Sequence, residues 1–227
     1  MEAKPNVKLL YHTENPARAV ATAARLCYSK VGASDLMEKM SDEQAQKVLS
    51  VILAGGHNST LEHASYTFAI EGVSRACTHQ LVRHRMASYN QQSQRYVKAG
   101  EDLPIIKPET VKDNASEVFD EAVEACKVAY QKMVDAGIPA EDARYILPNA
   151  AETKIVVTMN IRELLHFFSL RCCNRAQWEI RDVAWKMYEL VKPTAPFIFK
   201  DAGPECVRGK CPEGKMTCGN PYPKAER

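Results

Sequence analysis

Arg83, His84 and Arg85 set three full or potential positive charges side by side, and the run behind them, ASYNQQSQRY, is almost wholly polar. Ser88, Asn90, Gln91, Gln92, Ser93, Gln94 and Arg95 are hydrogen-bonding side chains that would do nothing for a core. With a helix reaching to His84 or Arg85, Gln80, Arg83 and His84 fall at i, i+3 and i+4, so an amide, a guanidinium and an imidazole share one face. Such a face suits a phosphate or a planar carbonyl edge. The competing reading is a solvated basic helix end that complements the negative end of the dipole. The polar stretch that follows favours a site, because hydrogen-bonding groups gathered on a loop are where binding usually occurs.

Two other clusters have chemical potential. GGHNSTLEH brings His57, Asn58, Ser59, Thr60, Glu62 and His63 into a glycine-started loop. The two histidines lack the HExxH register and an evident third ligand, so no metal is expected. NIRELLHFFSLR puts Arg162 and His166 at i and i+4 on an otherwise apolar helix, with Arg171 and Arg175 following. Buried arginines need partners: either a bound anion or an internal ion pair to Glu163 or Glu179. Arg144, in EDARYILP, is isolated. GxGxxG and the full P-loop pattern GxxxxGK[ST] are both absent, so a nucleotide here would be held by arginines, helix ends and polar loops.

The elements that must position these groups follow from pattern and punctuation. VKLLYH reads as a strand, Pro16 suits the first turn of a helix to about Cys27, and Ser41 with Gln44 makes a capping box for a helix ended by Gly55–Gly56. Ala64–Ile70 reads as a strand, and Ser74 can cap a helix to His84 or Arg85. Asn114–Ala136 has amphipathic spacing, with Val118, Ala122, Ala125, Ala129 and Met133 near one face. Thr153–Asn160 reads as a strand, followed by helices over about 162–172 and 176–190. Strands and helices mix without regular alternation, so the fold class is α+β.

The chain has 227 residues, 45% hydrophobic and 26% charged, enough for a sizeable core. A net charge of +2 supplies no general pull toward nucleic acid or a membrane, so anion binding must be local. No apolar run is long enough to span a bilayer and the start is polar, so a cytoplasmic protein is expected. Cys27, Cys77, Cys126, Cys172 and Cys173 lie in apolar or helical patterns and read as reduced thiols. After about Lys200 the composition shifts to Gly, Pro, Lys and Cys, which divides the chain into a body, 1–200, and a tail, 201–227. Cys206, Cys211 and Cys218 of the tail fit no CxxC zinc spacing.

Arg-His-Arg, seven residues and then Ser93 is similar to the signature of the flavin-dependent thymidylate synthases. GHNSTLEH, QLVRHR, SQRY, ARYILP, NIRELLHFFSLR and AQWEI resemble that family's blocks in order, over about residues 6–200. The resemblance implies reductive methylation of dUMP to dTMP, with methylenetetrahydrofolate as carbon donor, FAD as hydride carrier and NADPH as reductant, releasing tetrahydrofolate. It also implies a mixed α/β single-domain subunit with an antiparallel-rich sheet and flanking helices, in a homotetramer whose sites form at subunit interfaces. No nucleic-acid or membrane partner is implied.

Carried over by position, the resemblance assigns Arg83, His84, Arg85 and Met86 to the flavin-contacting motif, with His57, Ser59 and Glu62 in the loop beside the flavin. Asn160, Arg162, His166, Leu170 and Arg175 match a flavin-binding strand end and helix. Gln80, Arg83, Gln91, Ser93, Gln94, Arg95, Arg144 and Arg171 match the dUMP positions. Many relatives have a carboxylate at Gln91, a glycine at Gln94 and some a histidine at Arg175. Arg171 is expected to stabilise negative charge on the uracil ring, and Ser93 to position the substrate by a hydrogen bond. The rival reading is a nucleic-acid-binding module using residues 83–95, which near-neutral net charge argues against.

Overall fold

The computed structural model describes residues 4–99 and 103–223. In chain order the elements are β1 (Asn6–His12), α1 (Pro16–Leu26), α2 (Ala33–Lys39), α3 (Asp42–Ala54), β2 (Ser65–Ser74), α4 (Arg75–Leu81), β3 (Ala87–Gln91), α5 (Glu109–Asn114), α6 (Ser116–Asp135), α7 (Ala140–Ala143), β4 (Glu152–Asn160), α8 (Ile161–Arg171), α9 (Trp178–Val191) and α10 (Pro196–Phe199). A 3₁₀ turn, Asn58–His63, leads into β2. The sheet is antiparallel in the order β1-β2-β4-β3, the mixed α/β architecture that the sequence implied.

The chain forms two compact units. One consists of Ile70–Arg83 and Tyr89–Val156 with the chain up to Asn6; the other consists of Val7–Ala69, His84–Ser88 and the chain from Val157 onward. The stretch after Lys200, read as a tail, belongs to the second unit through residue 223; residues 224–227 lie outside the described part.

In the second unit, aromatic packing holds the helices. The Phe168 ring stands edge-on to Phe167, Tyr188 and Phe199 at centroid distances of 5.9, 5.8 and 6.3 Å. Phe167, Phe168 and Phe199 are fully buried, and each such ring contributes about 1.5–3 kcal/mol of apolar burial. Tyr66 is buried and shares a hydrogen bond of 2.8 Å with the Thr194 hydroxyl, while burial pushes its pKa up to about 12. α3 starts on the capping box expected from Ser41 and Gln44. After Lys200 the chain is tied down: the Asn174 amide donates to the Asn220 carbonyl at 3.0 Å and Tyr222 packs on Trp185.

In the first unit α6 is the longest element, and its buried stripe differs from the expected one. Val118 is 70% exposed and Ala122 and Ala125 face solvent, while Tyr130 is buried and accepts a hydrogen bond from the Ala99 amide on its hydroxyl. Large side chains set the register: the half-buried positions Phe119, Val123 and Cys126 line up with Tyr130 at i, i+4, i+7 and i+11. At Gly72 in β2, with φ +67°, a Cβ would sit 2.2 Å from the Lys4 carbonyl oxygen, so this position accepts only glycine.

α4 also departs from expectation. It stops at Leu81 with Val82 as its C-cap, rather than running to His84 or Arg85. Gln80, Arg83 and His84 therefore do not share a helical face. Of the polar run behind them, residues 87–91 form β3, and only from Gln92 onward is it the expected loop. Tyr89, inside that strand, donates its hydroxyl to the Leu81 carbonyl at 2.9 Å, which ties the helix end to the strand.

Candidate active site

The second unit contains a cavity of about 1120 Å³. α3 supplies Ser50, Leu53 and Ala54, the 3₁₀ turn Asn58, Leu61 and Glu62, and α8 Arg162, Leu165, His166 and Ser169. The α8 residues recur at helical spacing on one face, with the buried Leu164, Phe167 and Phe168 opposite. Asn160 caps α8 by accepting the Glu163 amide at 2.9 Å, which fixes where the lining side chains begin. Phe197, Ile198, Lys200, Asp201, Glu205 and Arg208 complete the wall, together with Met86.

Charges in this cavity are matched. Arg162 pairs with Glu62 at 2.6 Å, and Arg208 pairs with Glu205 at 2.6 Å while also donating to the Asp201 carbonyl at 2.7 Å. Leu53, Leu61, Leu165 and Ile198 give it apolar walls. Arginines with movable carboxylate partners beside apolar surface suit a large ligand that carries both rings and phosphates, so a flavin nucleotide fits the donor set.

Of the residues assigned to the flavin, Glu62, Met86, Asn160, Arg162 and His166 line this cavity. His57, Ser59, Arg83, Arg85, Leu170 and Arg175 do not; all six are solvent-exposed, and Arg175 pairs with Glu213 at 2.5 Å. His84 is buried, 4% exposed, with its Nδ1 3.1 Å from Glu163 Oε1 and its Nε2 accepting the Arg171 Nε–H at 3.0 Å. Burial, then Arg171 and His166, push its pKa down to about 4. Burial raises the Glu163 carboxyl above its usual range. Burial likewise raises the Cys172 thiol, and none of the eight cysteines is in a disulfide.

The first unit contains a smaller cavity of about 370 Å³, lined by Arg75, His79, Gln94, Arg144, Tyr145, Leu147, Pro148 and Asn149. Its lining includes two guanidiniums and no carboxylate. Arg75 donates to Gln94 Oε1 at 3.0 Å, and burial together with the nearby Arg144 charge holds it below the ordinary arginine range. Two like charges are kept close here, so the pocket is built to be neutralised by an anion.

Gln94 and Arg144, both assigned to dUMP by the resemblance, line this cavity together. Ser93 and Arg95 stand beside them in sequence, with Ser93 Oγ accepting the Arg95 amide and Arg95 paired to Glu141 at 2.7 Å. Gln91 is turned inward, donating to the hydroxyls of Thr78 and Thr153 at 2.9 and 3.2 Å. Gln80 is half-buried on α4. Arg75, His79 and Asn149 were missed in the sequence reading. A signal existed for Arg75, which is five residues before Gln80 in a capped helix, but a lone arginine there reads equally as surface charge.

The family model for thymidylate synthase complementing protein matches residues 8–197. The chain belongs to this family. It is 59% identical over 216 residues to a protein of Geobacter sulfurreducens named flavin-dependent thymidylate synthase, covering 94% of this chain and 93% of that one. A Clostridium tetani protein of the same name is 52% identical over 230 residues, covering 94% and 92%. Among solved structures, a UMP/dUMP methylase, PolB, from Streptomyces cacaoi, bound with 5-Br dUMP, superposes with a TM-score of 0.78. It is 24% identical and covers 87% of this chain and 94% of its own, which shows that the two share a fold. Among the described residues no helix is long and apolar enough to cross a membrane, and no cluster of His, Cys, Asp or Glu is arranged for a metal.

Proposed function

We propose that this chain is a flavin-dependent thymidylate synthase that methylates dUMP to dTMP, taking carbon from methylenetetrahydrofolate, with NADPH as reductant, and releasing tetrahydrofolate. The observation that carries this reading is a carboxylate-free, two-arginine pocket in a chain that the family model matches over residues 8–197. Arg75 and Arg144 match a nucleotide monophosphate in charge, and Gln94 orients the Arg75 guanidinium. Ser93 and Arg95 are assigned to the same substrate, as are Gln80, Arg83 and Gln91 by position.

In the larger cavity, Arg162 and His166 would meet the flavin phosphates and ring edge, with Glu62 releasing Arg162 to do so, and Asn160 and Met86 at the wall. When bound, the flavin supplies the hydride. Arg171 is assigned the stabilisation of negative charge that develops on the uracil ring, a task for a planar donor rather than a point charge.

We take the chain after Lys200 as a C-terminal extension that closes part of the larger cavity through Asp201, Glu205 and Arg208, and the assembly as a cytoplasmic homotetramer. The exposed, small-apolar stripe Val118, Ala122 and Ala125 on α6 supports a partner surface. An assay with FAD, NADPH, methylenetetrahydrofolate and dUMP tests the reaction: dTMP and tetrahydrofolate should accumulate together. Dihydrofolate as the folate product, or colourless protein with steeply salt-dependent nucleic-acid binding, would overturn it.

A further inference from the structure

Three side chains of the second unit, Glu163, His84 and Arg171, are hydrogen-bonded in a row, and of them only Glu163 reaches a cavity wall. Arginine Nε–H can only donate, so His84 Nε2 must present its lone pair and the ring proton must reside on Nδ1, where the Glu163 carboxylate accepts it. The tautomer is dictated from both sides. The ring is also held by edge contacts to Phe167, with centroids 4.9 Å apart, and to His166 at 5.8 Å. With a side chain only 3% exposed, His84 has almost no surface with which to touch a cofactor, although its place in the Arg-His-Arg motif suggested one.

We infer that His84 is a positioning residue: a neutral imidazole, anchored by Glu163, that accepts the Nε–H of Arg171 and so sets the plane of that guanidinium. A guanidinium is flat, so fixing the direction of its Nε–H fixes the plane in which the two terminal amino groups donate. Those groups then meet a charge that develops in the reaction without reorganising first. The inference rests on Arg171 acting on the substrate, as proposed above.

The test uses flavin-loaded full-length protein and the variants His84→Leu, His84→Gln, Arg171→Lys and the double variant His84→Leu/Arg171→Lys. kcat, KM for dUMP and flavin absorbance per subunit are measured for each. His84→Leu should lower kcat by about 100-fold, the scale of a misplaced catalytic group, while KM and flavin content change less than about threefold. His84→Gln keeps a donor amide and an acceptor oxygen and should recover all but about tenfold. Adding His84→Leu to Arg171→Lys should cost less than about threefold more, since the group it positions is already gone.

Flavin loss in step with activity, or additive losses in the double variant, would make His84 a cofactor contact or a plain core residue and overturn the inference. Full kcat in His84→Leu would do the same. Full kcat in Arg171→Lys would instead overturn the role given to Arg171, so the two failures are distinguishable. If His84→Leu does not fold, His84→Asn, whose shorter amide cannot span both partners, replaces it in the same cycle and is read by the same criteria.

Discussion

The two cavities solve opposite electrostatic problems. The large one is lined by three cations, Arg162, Lys200 and Arg208, and four acids, Glu62, Glu163, Asp201 and Glu205. The small one has two arginines and no acid at all. A balanced wall tolerates standing without a ligand and exchanges internal ion pairs for ligand contacts at little net cost. An unbalanced pocket stores like-charge repulsion that an anion relieves on binding. The smaller site should therefore hold its ligand mainly by charge, and the larger one mainly by area and shape.

That contrast is most exposed to Arg75→Ala. Removing the partly buried guanidinium proposed to meet the phosphate should weaken dUMP binding by about 10- to 100-fold, following the 1.5–3 kcal/mol typical of charged hydrogen bonds. Titration of the purified protein with dUMP measures it, and an unchanged affinity would end the view of this pocket as an anion site. Arg162→Ala, in the balanced cavity, should cost flavin retention only about three- to tenfold, because the arginine is exposed and already paired. Flavin absorbance after dialysis reads this, and a loss larger than that of dUMP in Arg75→Ala would reverse the comparison.

Acidification sharpens the contrast in a different way, since arginines do not titrate but the interior behind α8 does. His84 has its pKa lowered to about 4 in the folded chain against 6.5 when unfolded, so the unfolded chain takes up the proton first as pH falls. Its contribution to stability is present above pH 6.5 and is lost between there and about pH 4. Glu163, raised by burial, acts with the opposite sign. Thermal unfolding of the wild type should thus show a steeper loss of Tm across that window than His84→Gln, which lacks the titrating ring. The smallest effect is expected from Glu213→Gln, which unpairs exposed Arg175 and should change stability by less than about 1 kcal/mol in denaturant titration.

Local signals in the sequence were strong where chemistry and geometry are both local. The Ser41–Gln44 capping box, Pro16 at a helix start and the β4–α8 boundary at Asn160 are each settled within four residues, and each stands where its pattern placed it. The large cavity was partly legible for the same reason: Arg162 and His166 share a helical face, so their spacing alone brings them together. The end of α4 was not legible. Nothing in RHRMASYN forbids another helical turn, and the helix stops because residues 87–91 are claimed by a strand on the sheet.

The sequence by itself determined the element types, the absence of the common glycine-rich nucleotide turns, the order of the family blocks and the supply of arginines for anionic ligands. Only the tertiary structure decided which of those arginines keep a carboxylate and which do not. Arg75 and Arg144, far apart in the chain, line one acid-free pocket, while Arg162 meets Glu62 from a hundred residues away. It also decided that the middle residue of Arg-His-Arg turns inward while its neighbours face solvent. Helical spacing cannot foresee that, because it depends on where Glu163 and Arg171 arrive from another element. Charge pairing and burial are properties of contacts distant in sequence, and the chain must close before they exist.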